Sequence, residues 1–205
     1  VMADVLTLAK ACGVDAGDAI GLRGKLALNA AVSRRGASMA KRDFAAARLM
    51  FQECLAIMRE LSDRDGIAIA LHSLGSSERE QGNFAAAGAH YAESLAILRE
   101  LGHRARIAYS LVELASVASD HGEHVLAARL WGAAERLREE LGMPPRSSDS
   151  VFVTCITAAR VTFGDGAAFD RAWQDGRALA MEQAIDLARA WACGVGGEAA
   201  VRSIA

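Results

Sequence analysis

Proline is almost missing from this sequence: of 205 residues only Pro144 and Pro145 lack a backbone N–H, and they stand side by side. Long stretches on either side are thus free of the residue that most reliably breaks a helix. Aromatic side chains make up only 5% of the chain, whereas Ala, Leu, Arg and Glu abound, the residues that lose least freedom on entering a helix. Cys12, Cys54, Cys155 and Cys193 are scattered and form no CxxC pair, which removes the usual zinc and dithiol arrangements and leaves buried thiols in apolar settings. Charge of one sign is lacking as well. A net charge of -2 gives no field that would gather nucleic acid or an anionic membrane. No apolar run approaches the roughly 20 residues that cross a bilayer, and Asp4, Lys10 and Asp15 interrupt the start, unlike a secretory signal; the expectation is a cytoplasmic location. There is no GxxxxGK[ST] phosphate loop and no reading helix of a helix-turn-helix unit.

What is present is a hydrophobic content of 52%, ample for a packed core, and a repeat. "FAAARLMFQECLAIMREL" from Phe44 returns as "FAAAGAHYAESLAILREL" from Phe84, and 18 of the 40 positions in 44–83 recur in 84–123. Matches include Phe44 with Phe84, Leu55 with Leu95, Ile67 with Ile107, Leu71 with Leu111, Leu74 with Leu114 and Gly82 with Gly122. A third copy places Trp131 where Phe51 and Tyr91 stand, and closes on Leu141. A weaker unit precedes them in "GKLALNAAVSRRGASMAKRDF". Such a period marks a stacked array in which one unit cannot bury its own apolar face.

Each copy reads as two helices. Ile67, Ala70, Leu71 and Leu74 form one stripe, Gly82 and Asn83 supply a turn, and Phe84, Ala87, Tyr91, Leu95 and Leu98 line the partner. Alanines permit close approach of the two axes, and large residues fill the gaps between them. With Leu71, Leu74 and Gly75 on the first helix and Phe84, Ala87 and Tyr91 on the second, the pair resembles the tetratricopeptide repeat. Two departures stand out: Glu78 takes a position that is usually aromatic, and the forty-residue period exceeds the usual 34 or so. The resemblance implies an all-α solenoid of antiparallel helix pairs.

After Leu141 the repeat ends at "GMPPRSSDS". A helix is expected through Val151, Ile156 and Val161 to "FGDG", with shorter ones near Ala167 to Gln174 and Met181 to Trp191, together forming a cap. Ala180 is a poor N-cap for the last. "RLWGAAERLREELGMP" and "FGDGAAFDRAWQDGRALAMEQAIDLA" are similar to the C-terminal ends of large bacterial LuxR-type ATPase transcriptional regulators, over Leu26 to Ala190. That resemblance implies a signal-transduction arm belonging to something longer, as does a start in mid-helix at "VMADVLTLAKACG". The expected layout is the end of an upstream repeat in 1–18, three helix pairs in 19–141, a cap in 142–192 and a flexible tail in 193–205.

Chemistry finds little footing. His121, Glu123 and His124 in "HGEH" straddle a turn and lack further ligands at metal spacing. Ser76 and Ser77 follow no strand and so form no nucleophile elbow; close packing explains "GSS" better. His90 and His103 are expected in solvent. Asp63 and Asp65 read as loop residues capping the following helix, and Glu53, Glu93, Glu60 and Glu100 as solvent-side repeats. Arg34, Arg35, Lys41 and Arg42 form a basic cluster without interleaved aromatics, read as a solvated face. No catalytic residue, cofactor or metal is expected. First helices should line a concave groove, with Asn29, Val32 and Met39, then Ile69, His72, Ser76 and Arg79, then Tyr109, Val112, Ser116 and Ser119 facing it. The partner expected there is a protein, a peptide or a small effector. The alternative is a structural or homo-oligomerising scaffold, with Ile69 and Val112 as exposed contacts.

Overall fold

The computed structural model describes residues 44–143 and 150–195. Five helices of 17 residues open the described chain: α1 Phe44–Glu60, α2 Arg64–Glu80, α3 Phe84–Glu100, α4 Arg104–Asp120 and α5 His124–Glu140. Each is followed by the same three-residue turn. In the turn after α2, the Asn83 N–H reaches the Glu78 carbonyl at 2.9 Å and the Gly82 N–H reaches that of Arg79 at 2.9 Å, and the same pair of bonds closes the other four helices. This is the closure that needs a left-handed residue just past the helix. Glycine supplies it at 82, 102, 122 and 142, but after α1 it is Ser62, at φ 54°. Replacing Ser62 with glycine is expected to raise stability by about 0.5 kcal/mol, since relief of about 1 kcal/mol of left-handed strain is partly offset by the freer unfolded chain. A urea titration reads that difference.

The pairs α2–α3 and α4–α5 pack as expected from the repeat, and α1 packs against α2. The stripe Ile67, Ala70, Leu71 and Leu74 is buried, and the three large repeat positions, Phe51, Tyr91 and Trp131, are fully buried. Gly75 explains the "GSS" segment: a Cβ there would stand 3.0 Å from three atoms of the Tyr91 ring. Asp63 caps α2 by accepting the Gly66 N–H at 2.9 Å. Asp65 lies in the first turn of α2 rather than in the loop, so it is placed to pair with groups on α4.

Glu78 stands where an aromatic is usual, and the structure supplies it with partners. It is 5% exposed, accepts a bond from the Asn83 side chain at 2.7 Å and faces Arg48 at 3.5 Å. A buried carboxylate held in this way avoids the cost of an unpaired charge. Asn83 is thereby diverted, and α3 begins with no side-chain cap.

Three more helices form the cap: α6 Ser150–Phe163, α7 Gly166–Ala178 and α8 Met181–Ala190. Helix α7 packs on α5 as closely as the helices of a pair pack on each other, because two glycines meet there. A Cβ on Gly132 would fall 2.2 Å from the Trp173 carbonyl oxygen, and one on Gly176 would fall 2.0 Å from that of Arg129. Arg177 adds ties to Glu139 at 2.7 Å and Glu135 at 3.3 Å; the hydrogen bond to Arg177 holds the Glu139 carboxyl below its usual pKa. Ala180 does precede α8, and Gln183 compensates by accepting the Ala180 N–H at 2.9 Å.

Helix α8 turns back along the repeats, touching α3, α4 and α5 and burying Ala184, Ile185, Leu187 and Ala188. The turn Trp191–Val195 follows, and Trp191 comes to rest over Gly88. Two expectations change here. Residues 193–195 belong to this turn rather than to a tail, and Cys193 is exposed rather than buried, while Cys54 is buried and Cys155 half-buried. Residues 1–43 and 196–205, with the weaker first unit, Cys12 and the basic cluster, lie outside the described residues.

Candidate functional site

The residues expected to face the groove separate into three groups. Asn29, Val32 and Met39 lie outside the described residues. Ile69, His72 and Tyr109 come together around one hollow between α2, α3 and α4. Arg79, Ser116 and Ser119 line a second hollow that α6 partly roofs with Cys155, Ala158, Ala159 and Thr162. Ser76 and Val112 are buried, at 8% and 3% exposure. Val112 is thus no exposed contact for a second copy.

The first hollow holds about 200 Å³, and Ala68, Ser94, Leu98, Arg106 and Ser110 complete its lining. Its lining is mainly apolar, and its two serine hydroxyls meet protein groups. Ser94 donates to the Ala68 carbonyl at 2.8 Å, and Ser110 lies 3.5 Å from His72 Nδ1. The His72 ring meets Tyr91 edge-on at 5.1 Å, which fixes it against the core. Tyr109 is 45% exposed and carries the Arg138 guanidinium 5.3 Å from its ring centre, a cation–π contact that stiffens this wall. At the lip Arg106 pairs with Asp65, which His103 also approaches at 3.3 Å.

Helix α2 carries the groove onward from Ile69 to Arg79, about 15 Å at the helical rise. There the carboxylates outnumber the cation. Arg79 meets Asp120 at 2.7 Å and Glu113 at 3.8 Å. Burial works against its charge, but the bond to Asp120 and the two carboxylates outweigh that, so its proton is held more firmly than usual. One cation faces two carboxylates at this end, whereas at the hollow Arg106 and His103 share Asp65.

The other histidines behave differently from one another. His121 faces Phe84 and Trp191, while His124 faces Phe163, so the two rings of "HGEH" point into separate aromatic surroundings. Among the described residues no group of three His, Cys, Asp or Glu is arranged to hold a metal ion. His90 is half-buried rather than in solvent, and burial lowers its pKa despite the opposing pull of Glu78 and Glu93. Glu93 and Glu100 are on the solvent side and pair with Arg59 and Arg64.

Sequence reasoning missed Arg106, Ser94 and Leu98. Leu98 was legible only as a packing residue of a second helix, yet this buried side chain also lines the hollow between α2 and α4. Among the described residues no helix is long and apolar enough to cross a membrane. The tetratricopeptide repeat family model matches residues 27–100, ending at the last residue of α3. The chain therefore carries a tetratricopeptide repeat region in an all-α helical-repeat solenoid, an architecture that generally serves protein–protein interaction. Comparison with curated proteins and with solved structures gives no match.

Proposed function

We propose that this chain is a non-catalytic interaction arm that receives a partner segment along its first-helix groove. The observation that carries this reading is the hollow at Ile69, His72 and Tyr109. It is an apolar recess on residues that differ between copies, while the packing positions around it agree. A rigid solenoid with a variable inner face is suited to recognition. The similarity of "RLWGAAERLREELGMP" and the cap to bacterial LuxR-type ATPase regulators supports placing the arm in a cytoplasmic transcriptional regulator, where occupancy of the groove would bias the attached domains.

The test compares baits in extracts of the source cells. A partner captured by the wild-type chain should bind Ile69→Arg at least tenfold more weakly, because the guanidinium would fill an apolar recess with no acceptor. Val161→Arg, on the outward side of α6 at 73% exposure, should bind as the wild type does. Equal binding by all three would end the groove reading.

A further inference from the structure

Resting on the groove reading, we infer that the hollow takes one aliphatic side chain of a partner peptide, and that a carboxylate next to that side chain docks on Arg106. Size speaks first. At about 200 Å³ the hollow is smaller than the roughly 300 to 1,000 Å³ of sites that enclose small molecules, but it suits a leucine or isoleucine side chain entering from a backbone outside.

Polarity narrows the occupant further. Ala68, Ile69 and Leu98 offer only carbon to the interior, and the hydroxyls of Ser94 and Ser110 are already engaged with Ala68 and His72. A polar group entering here would shed its water and receive little in return. An aliphatic group sheds unfavourable hydration instead.

The lip supplies the second element. Arg106 lends one nitrogen, Nη1, to Asp65 and is 43% exposed, and Asp65 is also approached by His103. A guanidinium has five N–H donors in a planar fork, so Arg106 has donors to spare for a second carboxylate, in the two-point geometry arginine favours. The far end of the groove sets the direction. With Glu113 and Asp120 around the single Arg79, an acidic residue is disfavoured there. The peptide thus lies with its acid beside the first turn of α4 and any basic residue toward Arg79.

The experiment selects a phage-displayed library of random twelve-residue peptides on the full 205-residue chain. The expected peptides share Leu, Ile, Val or Met with Asp or Glu within two positions. Tyr109→Ala should weaken them at least tenfold. Arg106→Gln should weaken them about fivefold, and reselection on Arg106→Glu should replace the acid by Lys or Arg while keeping the aliphatic anchor. Circular dichroism melting of each variant checks that it is folded. Peptides that need Tyr109 but carry no acid, ignore both Arg106 variants, or anchor through an aromatic or polar residue would overturn this inference and leave the groove reading standing. Peptides indifferent to Tyr109→Ala, or no enriched family, would overturn both.

Discussion

Gly176→Ala is expected to destabilise the protein by about 3 kcal/mol, at the upper end of what an overpacked contact costs, lowering the melting temperature by about 6 to 12 °C for a chain of this size. The sign is the informative part. In an unremarkable helix, alanine for glycine is stabilising by up to about 1 kcal/mol, and Gly176 lies within α7. Here the new Cβ would stand 2.0 Å from the Arg129 carbonyl oxygen and 2.7 Å from its Cα. These are backbone atoms of α5 and cannot rotate aside, so the two helices must part. Parting them loosens the Arg177 ties to Glu135 and Glu139.

Gly132→Ala meets the reciprocal obstacle at Trp173 and should cost a similar amount. Once the helices have separated for one alanine they have made room for the other, so the double variant should cost less than the two singles together. Hydrogen exchange should show α7 losing protection before α2 and α3 do. A Gly176→Ala protein at least as stable as the wild type would mean that α5 and α7 do not meet at these glycines.

The repeat was readable because its packing positions repeat. Phe51, Tyr91 and Trp131 fall in register, and each fills the same gap between stacked helices. The rhythm beneath it went unread. Every described helix of the array has 17 residues and every described turn three, so the backbone there repeats every twenty, and Gly82, Gly102, Gly122 and Gly142 record that interval. Side-chain matching hides it, because successive helices play alternate roles and share only the turn. Ile69, His72 and Tyr109 were brought together by register alone. Arg79, Ser116 and Ser119 were placed on the same face, but no comparison between copies shows that α6 lies across them, since that contact is made once and not repeated. The meeting of Gly132 and Gly176 went unread for a similar reason. A glycine inside a helix looks like a weakness until the facing helix is known.

Trp131→Ala should have a larger effect still. Trp131 is fully buried and heads the fully buried side chains of the core by volume. It occupies the large repeat position of α5, reaches Phe169 of α7 at 6.5 Å between ring centres, and forms part of the wall beneath α6. Removing it takes away apolar contact on the repeat side and on the cap side together, and Gly132 next to it cannot move inward to refill the space. The expected loss is about 4 kcal/mol, within the range for truncating a buried aromatic, or about 8 to 16 °C in melting temperature. Trp131→Phe should recover more than half of it, since the position in the earlier copies holds Phe51 and Tyr91. The hollow at Ile69 and Tyr109 is built from α2, α3 and α4, and in a solenoid each unit is held chiefly by its neighbours. Peptides selected on the wild type should therefore still bind Trp131→Ala well below its melting temperature, within about threefold of the wild-type affinity. Loss of binding in a variant that is still folded would mean that the cap, through α5, sets the shape of the hollow, and that the recognition surface extends beyond the helices that line it.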